Sequence, residues 1–64
     1  MKDIFNKFLD NEINLSELEE IIYKNTLLIN DIGEDNYQYF LEFNYKKKYA
    51  EIEIQNFILR NMKG

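Results

Sequence analysis

The side chains best suited to chemistry in this 64-residue chain are its carboxylates and lysines. There is no His or Cys, and the hydroxyls are one Ser (Ser16), one Thr (Thr26) and five Tyr. Ser16 has no neighbouring base to activate it as a nucleophile, and thiolate or imidazole metal sites are excluded. Carboxylate pairs such as Glu51 and Glu53 suit acid–base work. A chain this short offers little depth to bury and tune them. No enzyme, cofactor or metal site is therefore expected. Asp31-Ile32-Gly33-Glu34-Asp35-Asn36 is rich in oxygen ligands, but it lacks the EF-hand spacing and its terminal Glu, so it reads as a turn.

Two other patterns bear on binding. Tyr45, Lys46, Lys47, Lys48 and Tyr49 form one basic segment flanked by rings, a pattern that suits single-stranded nucleic acid. Its plainer reading is a solubilising turn, and the formal net charge of −4 disfavours phosphate binding. That charge is uneven. Residues 1–43 hold ten acids against three bases, a net −7, and residues 44–64 hold five bases against two acids, a net +3. The acids Asp10, Glu12, Glu17, Glu19 and Glu20 form a cluster able to imitate a phosphate backbone; an ordinary solvated helix face is the plainer reading. An acidic surface suits docking onto a basic one.

The elements that position these residues follow from periodicity. Ile4, Phe5, Phe8 and Leu9 share one face of a short helix over Asp3–Leu9, and Asp10-Asn11-Glu12 reads as its break. Asn14 followed by Glu17 predicts a capping box, with Ile13 and Leu18 as its hydrophobic staple. Leu15, Leu18 and Ile22 share the inner face of that second helix. Tyr37, Tyr39, Leu41, Phe43 and Tyr45 alternate with Gln38, Phe40, Glu42 and Asn44, and Ala50, Ile52 and Ile54 alternate with Glu51 and Glu53, so two strands are expected. Pairing Leu41 with Ile52, Phe43 with Ala50 and Tyr39 with Ile54 gives an apolar face, joined by a Tyr45–Lys48 loop. Residues 26–32 read as a third strand, or as the end of a long second helix stopped by Gly33. Residues 56–64 fit either a continued strand or a short helix. The expected fold is a single α+β domain, two N-terminal helices on a three-stranded antiparallel β-meander. The alternative is a second helix running to Ile32 plus a two-stranded hairpin.

That register defines an outer sheet face. It shows Leu27, Ile29, Phe40, Glu42, Tyr49, Glu51 and Glu53, an apolar group rimmed by acids and thus an expected partner-binding surface. Tyr45, Lys46, Lys47 and Lys48 are the alternative, nucleic-acid-binding set.

Size adds a further expectation. A 64-residue domain buries only ~60% of its unfolded surface, and the usual staples, disulfides and zinc, are absent. A homo-oligomer or a working complex is expected. No apolar stretch is long enough to span a membrane or form a secretory signal, so the expected location is the cytoplasm. Ile, Asn, Lys, Tyr and Phe make up more than half the chain, with no Val or Pro, which points to an AT-rich genome.

In size, AT-rich composition and acidic balance, the whole chain resembles the small, acidic, cysteine-free inhibitors encoded by phages and mobile elements, including anti-CRISPR and other anti-defence proteins. The resemblance implies stoichiometric binding that blocks a host nuclease complex by occupying a basic surface. It carries no motif and assigns no residue. A nucleic-acid-binding regulator and an antitoxin or immunity partner are the alternatives.

Overall fold

A computed structural model describes residues 3–62. Five helices follow one another: α1 Asp3–Leu9, α2 Leu15–Lys24, α3 Leu28–Ile32, α4 Glu34–Glu42 and α5 Ala50–Asn61. There is no strand among the described residues. The expected meander is therefore corrected to an all-helical fold, and the long-helix-plus-hairpin alternative falls with it.

The first two helices form where the sequence places them. Asn14 Oδ1 accepts from the Glu17 N–H at 2.8 Å, and Glu17 Oε1 accepts from the Asn14 N–H at 2.9 Å. This capping box satisfies two donors that would otherwise be orphaned. The chain turns beforehand at Asn11, whose φ of 65° is tolerated by Asn better than by most residues.

The misread region begins at Asn25. Asn25 N–H donates back to the Ile21 carbonyl, which ends α2, and turn bonds through Leu27 start α3 at once. Gly33 then ends α3 with φ 92°, its N–H donating to Ile29. A terminator was expected there in the long-helix alternative, and an end to the second helix near Asn25 in the strand reading; the short helix between them was not expected.

Period 2 failed over residues 37–45 because a second period fits the same residues. Tyr37 and Phe40 are buried at i and i+3, with Leu41 half-buried beside them. Phe40, an apolar residue on the supposed outer face, is the one that breaks the alternation. In α5 the buried positions are Ala50, Ile54 and Ile58, an i, i+4, i+8 row along one helix face. Ile52, expected opposite Leu41, is instead exposed. Phe57, Ile58 and Leu59 are helical. Residues 63 and 64 lie outside the described residues.

Phe5 and Phe8 from α1, Leu18 and Ile22 from α2, Leu28 and Ile32 from α3, and Tyr37 and Phe40 from α4 meet Ile54 and Ile58 of α5 in one core. α4 packs on α2 and α3, and α1 packs on α2 and α5. Rings supply much of the filling. Phe40 meets Phe5 and Phe57 at centroid distances of 5.3 Å, and Tyr39 stacks on Phe57 at 3.7 Å and 5°. Core aromatics of this size bury the most apolar area per residue, as a small domain without cross-links requires.

Candidate partner-binding surfaces

The helical fold breaks up the expected outer face. Phe40 is 0% exposed and belongs to the core, so it touches no partner. Ile29 is half-buried on α3. Leu27, 66% exposed, stands at the head of α3. Glu42 ends α4 and accepts from Gln38 Nε2 at 2.6 Å. Glu42 and Glu51 are not a cross-strand pair, since neither lies in a strand. Tyr49, Glu51 and Glu53 do stay together, at the start of α5. The seven residues form no single face.

The basic segment is also changed. Tyr45 is buried, and its hydroxyl donates to the Phe40 carbonyl at 2.7 Å. Burial first, then the neighbouring Tyr23, Glu19 and Tyr39, push its phenol well above the usual value. It is a structural side chain with no ring free for a base to stack on. Lys46, Lys47 and Lys48 are exposed in the α4–α5 loop. That loop is shaped by Asn44, whose Oδ1 accepts from the Lys46 N–H, an Asx turn. Lys47 Nζ lies 2.7 Å from Glu53 and 5.3 Å from the Phe43 ring centroid. Lys48 lies over the Tyr49 ring. The loop's positive charge is thus partly spent within the molecule.

Two surfaces remain. One is the carboxylate surface spread over the helices and the α1–α2 connection. From Asp10 to Glu53, every acid except half-buried Glu19 is exposed. Among the described residues, ion pairs involve only Glu20, with Lys24 at 3.3 Å, and Glu53. At the α3–α4 corner Asp31, Glu34 and Asp35 crowd within five positions, and the exposed Leu27 stands at the head of the same one-turn α3. Glu34 and Asp35 also suit the first turn of α4 electrostatically. No group of three or more potential ligands among the described residues is arranged to hold a metal.

The second surface is the outer face of α5. Tyr49, Ile52 and Leu59 are each more than half exposed, and Asn56 lies between them on the same side. Their 3-4-3 spacing is that of a helical seam. The sequence reading missed Ile52 and Leu59 because it placed Ile52 inside a hairpin; the spacing from Tyr49 was the usable sign. Tyr49 itself has φ 67°, a left-handed conformation that costs an L-residue about 1–2 kcal/mol. Beside this face lies a shallow cleft of about 330 Å³, lined by Tyr39, Glu53, Asn56, Phe57, Arg60 and Asn61. The closed Tyr39–Phe57 stack at one side leaves no gap for an inserted ring. Burial and the Glu53 charge raise the Tyr39 phenol, with Lys47 opposing.

No helix among the described residues is long and apolar enough to cross a membrane. Comparison with protein-family models, curated proteins and solved structures finds no match.

Proposed function

We propose that this chain is a non-enzymatic protein-binding inhibitor that occupies a basic surface on a host protein or protein–nucleic-acid complex. One observation carries the reading: the carboxylates point outward and are mostly without ion-pair partners among the described residues, and no charged side chain among those residues is buried. Helix-dipole contacts account for a few of these acids. They leave Asp10, Glu12 and Glu42 outside the first turn of any described helix. Charge kept at a surface in this way acts on what approaches it, by steering and by complementarity. The α3–α4 corner, with Leu27 as an apolar anchor among Asp31, Glu34 and Asp35, is the part of that surface that best matches an apolar centre with a charged rim.

The proposed setting is the host cytoplasm, and the proposed mechanism is occlusion. The test is affinity capture from the native host's lysate with the wild-type chain and with the D31K/E34K/D35K variant. A basic protein captured by the first and lost by the second supports the reading. Equal capture by both removes these acids from it.

A further inference from the structure

We infer that a second copy of this chain covers the outer face of α5, the two helices lying antiparallel about a two-fold axis beside Asn56. The face is apolar where it is most exposed: Ile52 is 54% and Leu59 53% exposed. These two residues sit seven apart, two turns along one side of the helix, with Asn56 between them. Glu53 and Arg60 are also seven apart, so they flank the seam on one edge, the acid near the N-terminal end and the base near the C-terminal end.

That order makes the face complementary to itself only when reversed. With the axis passing at position 56, Glu53 of each copy comes within one residue, about 1.5 Å along the helix, of level with Arg60 of the other, twice. Ile52 then meets Leu59 of the other copy on both sides of the axis. Each Asn56 faces its own counterpart, where an amide both donates and accepts. A two-fold contact requires this reciprocity, residue i on j and j on i.

The parallel arrangement keeps the Asn56 and apolar contacts but loses the Glu53–Arg60 pairs. It sets the two Lys46–Lys48 loops side by side and aligns the helix dipoles unfavourably. The antiparallel one separates the loops by the length of α5, ~18 Å for twelve residues at 1.5 Å each. A contact built on one helix of this length falls at the small end of specific interfaces, so the dimer is weak and its population depends on concentration. The carboxylate corner of α3 and α4 belongs to other elements, so the inference stands apart from the proposed inhibitor role.

Sedimentation equilibrium of the full chain, from micromolar to millimolar concentration, tests it. The wild type is expected to dimerise reversibly. Arg60→Glu and Glu53→Lys are each expected to weaken self-association at least about tenfold, since each brings like charges together twice. An equimolar mixture of the two is expected to dimerise again, because every such pair is then opposite in charge. Leu59→Lys is expected to abolish the dimer while the helical circular dichroism stays unchanged. A wild type that stays monomeric at millimolar concentration overturns the inference. So does a dimer that both charge variants retain, or a mixture that does not re-associate. Loss of dimer in Arg60→Glu with unchanged capture of a basic protein keeps the two proposals separate.

Discussion

The hydroxyl of Tyr37 donates a 2.8 Å hydrogen bond to the main-chain carbonyl of Ile22, tying the first half of α4 to the last turn of α2. That carbonyl is one of four that a helix leaves without an internal partner at its C-terminal end. The same arrangement recurs twice in α4. Tyr23 donates to the Leu41 carbonyl at 2.7 Å and Tyr45 to that of Phe40 at 2.7 Å. Helices of this length are marginal alone. Here Tyr37 and Tyr45 supply both a buried ring and an end cap, and the exposed Tyr23 an end cap alone, so at two of the three sites ring burial and helix termination depend on one another.

Tyr37→Phe keeps the ring and removes the donor. It leaves the Ile22 carbonyl without its side-chain partner at a buried site, an expected loss of about 1–2 kcal/mol. Tyr23→Phe acts at an exposed bond, where water takes the donor's place, and is expected to cost under about 0.5 kcal/mol. Urea denaturation midpoints of the two variants measure the difference. Equal midpoints contradict the burial argument.

Phe40→Ala separates the helical fold from the sheet that the alternation suggests. On an outer sheet face the change would be mild and would alter binding alone. In the core it removes the ring that Phe5, Tyr39 and Phe57 all touch. The expected cost is about 3–5 kcal/mol, a large share of the total stability of a small domain. Thermal unfolding followed at 222 nm checks this, and an unchanged midpoint would restore Phe40 to the surface.

Alkaline pH should unfold the chain through its raised phenols. Tyr45 and Tyr39 are both held above the ordinary tyrosine value, chiefly by burial. The fold therefore favours the neutral form. Below pH ~10 neither state is ionised at these rings and their contribution is intact. Above it the unfolded chain ionises first, so stability falls as pH climbs toward the raised folded values. Urea midpoints are expected to be level between pH 7 and pH 9 as far as these two groups are concerned, and to drop by pH 11. The drop should be smaller in Tyr45→Phe, measured against that variant's own midpoint at pH 8.

The first half of the chain was largely legible because its cues are local. Asn14 and Glu17 specify a cap by their spacing, and Phe5, Phe8, Leu18 and Ile22 fall on helical rows that admit no second period. From Tyr37 to Ile54 the apolar residues are so dense that rows of two and rows of three or four both fit. The deciding facts are long-range: Phe57 covering Tyr39, and Tyr37 reaching Ile22. Neither is visible in a window of ten residues. The expected site failed for the same reason, since its membership was derived from a strand register. Tyr49, Glu51 and Glu53 survived as neighbours because they are close in sequence under either fold. Leu27 stayed exposed because the turn at Asn25–Leu27 leaves its side chain outside the core.

The proposed role depends on carboxylates making the contact, and zero-length carbodiimide cross-linking of the captured complex reads that contact directly, because it joins a carboxylate to an amine within ion-pair distance. The expected products link Asp31, Glu34 or Asp35 to lysines of the partner. Links formed only between Lys46, Lys47 or Lys48 and carboxylates of the partner would contradict it, placing the basic loop rather than the acidic corner at the interface.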